Sequence, residues 1–163
     1  MGIDGHRVPE RLCGDFVTWA IESGSHIGFW VASHLGTRYW AEGSTALGLV
    51  RDGVPVAGVI YENWNGASVV VHMASAGRLT PQFMAAMCDY PFNVCGAIKA
   101  IAPVEISNLK SAKLVEKMGF VPEATLRNCH PNGDIVLYTL TKSDCRFLEG
   151  RYGKKLTDAP RHT

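Results

Sequence analysis

Moving a proton near neutral pH calls for an imidazole or a carboxylate beside the reacting group, and this chain offers one of each close in sequence. His72 ends the apolar run Val69-Val70-Val71, and Glu62 closes the apolar run at residues 54–61. An imidazole of ordinary basicity can take a proton from a reacting group, directly or through water. A lone histidine in an apolar strand also serves as a hydrogen-bonded structural residue. Glu62 is the second candidate base, or a solvated carboxylate at a strand end. Glu105 and Tyr138 are held in reserve for the same role, and Asn63 and Trp64 either line a pocket or only form a turn. Metal chemistry is not expected. The five cysteines (Cys13, Cys88, Cys95, Cys129, Cys145) include no C-x-x-C pair, and the nearest two, Cys88 and Cys95, are seven apart.

These residues need strands and helices to hold them, and the punctuation is legible from residue 44 onward. Asp52-Gly53 and Asn65-Gly66 are hairpin signals between the apolar runs 46–50, 54–61 and 68–73, which predicts an antiparallel meander. Thr80-Pro81 opens a helix carrying Phe83, Met84, Met87 and Tyr90 at helical spacing, ended by Pro91. Residues 97–104 read as a fourth strand, parallel to the third because a helix joins them. Ser107 or Asn108 caps a second helix with Leu109, Ala112, Val115 and Met118 on one face and Gly119 at its left-handed end. Residues 120–127 and 135–141 form a last hairpin across Pro131-Asn132-Gly133. Upstream, residues 9–43 hold Phe16, Trp19, Phe29, Trp30, Tyr39 and Trp40. One or two helices are expected there, one near residues 10–22, with a substrate-facing loop within 24–43. Residues 149–163 read as a loose tail, leaving one domain over 1–148.

Composition bounds the rest. A chain of 163 residues, 47% apolar and 19% charged, reads as a single soluble globular domain that needs no disulfide framework. Sixteen basic against fifteen acidic residues leave a net charge of +1, which argues against nucleic acid or an anionic membrane as partner. The first residues lack the apolar core of a signal peptide, and no apolar run reaches a membrane span. A cytoplasmic location is expected, with a homodimer compatible with the sequence.

The order of elements, together with Asn108-x-x-Ser111-Ala112-x-x-Val115-Glu116-Lys117-Met118-Gly119-Phe120, resembles the GCN5-related N-acetyltransferase (GNAT) family. Pro122-Glu123-Ala124-x-Leu126-Arg127 is similar to the continuation seen in ribosomal-protein-type acetyltransferases. Residues 53–66, His72-Met73-Ala74, 89–93 and 143–148 resemble small acetyltransferase-like proteins of tailed phages and prophages, for which the compartment would be the bacterial host's cytoplasm. The resemblance spans residues 44–148. It implies an α/β (α+β) fold: a mixed, mostly antiparallel sheet with helices on both faces and a central parallel strand pair splayed at the cofactor site.

The resemblance also implies a function. It is transfer of an acetyl group from acetyl-CoA, as co-substrate, to a primary amine attacking directly in a ternary complex. A backbone N–H near Met73, Ala74 and Ser75 would polarise the thioester carbonyl. Gly77, Arg78, Leu79 and Thr80, leading into the helix at Pro81, would receive the pyrophosphate. Only one glycine stands there, where the family's usual Q/R-x-x-G-x-G/A loop has more, so Arg78 and the Thr80 hydroxyl would compensate. Asn108 would bond the pantetheine arm or order a water, or simply cap its helix. Ser111, one turn on, falls in both the catalytic and the cofactor sets, or is a small packing residue. His72 would be the base and Glu62 its alternative, and Asn63, Trp64 and the aromatic upstream region could shape the acceptor pocket. Val115 stands where the family commonly carries an acidic tyrosine. A covalent cysteine route through Cys88 or Cys95 is set aside, because neither has an activating histidine or basic neighbour. Two alternatives follow from Val115 and the single-glycine loop or from the phage resemblance: a catalytically weakened binding or virion-associated module, and acylation of a modified base in phage DNA.

Overall fold

The computed structural model describes residues 17–150 and 152. Asp52 and Gly53 both take positive φ (50° and 79°), the geometry a two-residue hairpin turn demands. They fold β2 (Ser44–Arg51) onto β3 (Val54–Glu62) with Arg51 opposite Val54. The next connection, to β4 (Ser68–Ser75), is longer than a tight Asn-Gly turn. The Asn65 side-chain oxygen accepts the Ala67 and Ser68 N–H groups, and the β3–β4 ladder begins only at Glu62 opposite Val70.

Helix α2 (Pro81–Asp89) starts as expected, with the Thr80 hydroxyl oxygen accepting the Phe83 N–H. It does not stop at Pro91. A π-helical turn over Tyr90–Val94 carries the chain on, and the Met87 carbonyl, which an N–H at residue 91 would have bonded, accepts the Tyr61 hydroxyl instead. Strand β5 (Lys99–Glu105) then pairs parallel to β4. Helix α3 (Leu109–Lys117) is capped at one end by Asn108, whose side-chain oxygen accepts the Ser111 N–H. At the other end Gly119 has φ 95°, and the Gly119 and Phe120 N–H groups donate to the Glu116 and Val115 carbonyls. This is a Schellman closure with its usual apolar contact, since Phe120 and Val115 share one core cluster. Strands β6 (Val121–His130) and β7 (Gly133–Thr141) form a longer hairpin than expected, and β7 lies between β5 and β6.

Upstream the expectation needs correction. Residues 10–16 lie outside the described residues, but Trp19–Ser23 is a strand, β1, antiparallel to β2. It is an edge strand with neither face buried, so it leaves no alternation in the sequence and its aromatic residue mimics helical spacing. The loop expected within 24–43 is largely helix α1 (Ser25–Leu35), closed by Gly36 in the left-handed conformation. The tail expected from residue 149 lies mostly outside the described residues. Within it, Tyr152 packs edge-on against the buried Phe147.

The sheet order is β1-β2-β3-β4-β5-β7-β6, with one parallel pair, β4–β5, and helices on both faces. On one face α1 buries Ile27 and Val31 against Ala46, Val50, Ile60 and Ala74. On the other, α2, α3 and the segment around Phe147 cover Ala57, Val59, Tyr61, Val69, Ala100 and Leu140. Alternate residues of β3 fall in the two clusters, as a two-sided strand requires. The close seat of α1 depends on glycine. A Cβ at Gly58 would stand 2.5 Å from Val31 Cγ2, and one at Gly48 2.5 Å from Ile27 Cδ1. Gly28 plays the same part within α1, because a Cβ there would overlap the Tyr39 ring that folds back over the helix. In an ordinary helix Gly→Ala stabilises by about 1 kcal/mol. Here Gly28→Ala is expected to destabilise by about 1–3 kcal/mol, read as a lower urea midpoint, with most of the loss recovered when Tyr39→Ala is added.

Candidate active site

The parallel ladder between β4 and β5 is short: Ser68, Val69 and Val70 pair with Lys99, Ala100 and Ile101, and the strands then part. The β3–β4 hydrogen bonds show what the parting exposes. Ala76 N–H donates to the Val56 carbonyl at 2.8 Å, and the register from Ala57↔Ser75 to Glu62↔Val70 is unbroken. Antiparallel pairs alternate, so Ala74, His72 and Val70 direct their backbone groups to β3. Val71, Met73 and Ser75 therefore turn N–H and C=O the other way; the Val71 N–H closes the parallel ladder at Ile101, and beyond it the groups of Met73 and Ser75 face the gap left by β5.

A cavity of about 350 Å³ runs through this gap from one face of the sheet to the other. On the α1 side its wall includes Leu35, Thr37 and His72, and on the α3 side Asn108, Ser111 and Val115. Met73 lies between them, and Pro103, Glu105 and His130 close the end beyond β5.

The structure joins two of the sequence candidates directly. His72 Nε2 lies 2.8 Å from Glu62 Oε1, with both side chains about a quarter to a third exposed. A carboxylate only accepts, so the imidazole donates from Nε2 and keeps its Nδ1 lone pair free. Glu62 does not line the cavity itself. Its contact with the site is through His72.

The other candidates separate. Met73 lines the cavity, but Ala74 turns its side chain into the cluster beneath α1 and its N–H toward β3. The Ser75 hydroxyl donates to the Gly77 carbonyl. Gly77 and Arg78 are exposed, Leu79 packs on the core, and the Thr80 oxygen caps α2. None of these four lines the cavity, so the turn before α2 is a second locus, reached along the free edge of β4. Asn108 and Ser111 are at the wall, with Asn108 also serving as cap.

Glu105 is at the wall too, but both its oxygens are held by Ser107, through the backbone N–H at 2.8 Å and the hydroxyl at 2.7 Å. The Ser107 N–H and then its hydroxyl keep this carboxyl below its ordinary range, which makes it a poor base. Tyr138 is not at the cavity: its hydroxyl points to Glu116, 3.4 Å away. Asn63 and Trp64 are exposed in the β3–β4 loop, outside the wall. Cys88 does reach the cavity, yet its hydrogen bond to Cys145 and its burial push the thiol far above its ordinary pKa. That removes it as a nucleophile. Among the described residues no cluster of histidine, cysteine and carboxylate groups could hold a metal ion.

Three wall residues had no signal in the sequence. Leu35 and Thr37 arrive from the end of α1, where a loop was expected. His130 arrives because β6 runs to residue 130 rather than 127, and its Nδ1 accepts the Asn132 N–H at 3.1 Å.

A sheet with one parallel pair that parts over a cavity, with helices on both faces, is shared with known structures. The spermidine N-acetyltransferase of Vibrio cholerae superposes with a TM-score of 0.62 at 14% identity, over 77% of this chain and 94% of that one. The fold is that of the GNAT acetyltransferases. Vibrio fischeri ribosomal-protein-S5-alanine acetyltransferase matches the GNAT-fold core with a TM-score of 0.54 at 19% identity, over 64% of this chain. This chain spans 65%, just under two thirds, of that enzyme's length. Campylobacter jejuni N-acetyltransferase PseH, solved in complex with acetyl coenzyme A, matches at 0.50 and 16% identity, over 61% of this chain and 69% of that one. No protein-family model and no curated protein matches the sequence. Among the described residues no helix is long and apolar enough to cross a membrane.

Proposed function

We propose that this GNAT-fold chain is an acyl-CoA-dependent N-acyltransferase that acetylates a primary amine. The observation that carries the reading is a conjunction: the free β4 edge at Met73 and the His72–Glu62 pair meet in one cavity that pierces the sheet. The site suits the co-substrate. A pantetheine arm is a string of amides, and the N–H and C=O groups of Met73 and Ser75 offer it an unpaired strand edge. Acetyl-CoA supplies an activated acyl carbonyl and a thiol leaving group.

The chain's own residues do the rest. The Met73 N–H, fixed by the strand, donates to the carbonyl oxygen as negative charge develops there. His72 takes the proton released by the attacking amine on Nδ1, and Glu62 steadies the imidazolium through Nε2. Leu35 and Thr37 wall the side from which the amine enters. Val115 places no hydroxyl beside the departing sulfur, and a thiol with a pKa of about 8.5 leaves tolerably as thiolate without one.

Calorimetry with acetyl-CoA tests the reading. Micromolar affinity is expected, with stabilisation of about 2.7 kcal/mol when the ligand is at one hundred times its dissociation constant. No heat and no thermal shift at millimolar ligand would sink it. That result would favour a second reading, suggested by Val115 and the single-glycine turn, in which the fold serves as a binding module for a protein partner.

A further inference from the structure

The free edge of β4 is not bare. Lys110, in the first turn of α3, reaches across the gap and sets its Nζ 3.4 Å from the Ser75 carbonyl. Ser75 is one of the residues whose backbone groups face the gap, so the ammonium stands between the cavity and the exposed turn at Gly77 and Arg78. Its position is electrostatically odd. A cation in a first helical turn opposes the helix dipole, and the first turn of α3 holds no acid to offset it. Nor is Lys110 alone. Lys113 and Lys117 follow at spacings that place all three on one face of α3, and among the described residues none has a carboxylate partner. Arg78, on the exposed turn three residues past Ser75, is a further exposed cation with no carboxylate partner among the described residues.

We propose that Lys110 is the phosphate-contacting latch of the coenzyme A groove. This rests on the acyl-CoA reading above. In the empty groove its ammonium covers the Ser75 carbonyl. When coenzyme A enters, it yields that carbonyl to a pantetheine amide and moves to the diphosphate, supplying the charge that a turn with one glycine lacks. Lys113 and Lys117 extend the field that draws in the anionic end of the ligand, while the apolar cavity takes the acyl end.

The experiment is calorimetry of the full chain with coenzyme A over a range of salt concentrations, for wild type, Lys110→Met and Lys110→Arg. Loss of a charge-assisted contact to phosphate should weaken Lys110→Met by about tenfold or more. Its affinity should also fall less steeply with salt than that of wild type, because one screened attraction is gone. Lys110→Arg should stay within about threefold of wild type, since a guanidinium also bonds phosphate. Thermal midpoints should be alike, because the side chain is exposed. The proposal is overturned by an affinity of Lys110→Met within about twofold of wild type. A weakened variant with the wild-type salt slope, or an arginine that fails to restore binding, overturns it equally. Failure of the wild type itself to bind coenzyme A would strike instead at the acyl-CoA reading.

Discussion

Replacing His72 by alanine is expected to lower kcat for acetylation of a primary amine by about 10²–10⁴-fold. The Michaelis constant for acetyl-CoA should stay within about threefold, because the imidazole acts on the amine rather than in holding the thioester. His72 lines the cavity beside Met73, and its bond to Glu62 leaves one ring nitrogen free as a base. Glu62 touches neither partner, so it is a positioning residue. Glu62→Gln should reduce kcat by about 10–100-fold, in line with losses seen when an outer partner of a histidine is altered. Added imidazole should partly restore His72→Ala and should do nothing for Glu62→Gln. Turnover by His72→Ala at the wild-type rate would show that the pair is structural, as lone histidines in apolar strands often are.

The second large effect concerns the helix that floors the cavity. Phe83 is fully buried at the start of α2, among the apolar residues that also hold Tyr61 and Val69. Phe83→Ala removes the ring and leaves a hole that close-packed neighbours cannot fill, for a loss of about 3–5 kcal/mol. In a domain of this size that lowers the thermal midpoint by about 6–20 °C. Phe83→Leu, which keeps most of the volume, should lose less than half as much. The consequence should extend to the site, since Met87 and Cys88 on the same helix line the cavity, and the Tyr61 hydroxyl donates to the Met87 carbonyl at 2.6 Å. A midpoint within about 2 °C of wild type would mean that α2 is held by other contacts.

The elements from β2 to β7 were legible because each is bounded by residues with one strong local preference. Asp52-Gly53, Thr80-Pro81, Asn108 and Gly119 act through the φ they tolerate or the N–H they accept, and none needs a distant partner to do so. The upstream region has only one such marker, Gly36 at the end of α1, and none at the start of either element. Strand β1 exists because the open edge of β2 offers it hydrogen bonds. Helix α1 is capped by no side chain and seated by glycines on two other strands. Both depend on surfaces assembled elsewhere in the chain.

The candidate site divides along the same line. Residue type marked His72 and Glu62 as groups that could move a proton and Asn108 as a cap, and the family resemblance added Asn108, Ser111 and the turn at Gly77 as cofactor contacts. Tertiary structure alone decided which of them meet. It put His72 against Glu62 at ten residues' separation, and bound Glu105 to Ser107 so that it is no longer a free base. It turned Tyr138 away toward Glu116, and brought Thr37, His130 and Lys110 to a gap none of them signals in sequence. The reason is physical. Local preference acts over a few bonds, whereas a cavity is made where two strands stop pairing, and that point is set by the packing of every layer around them.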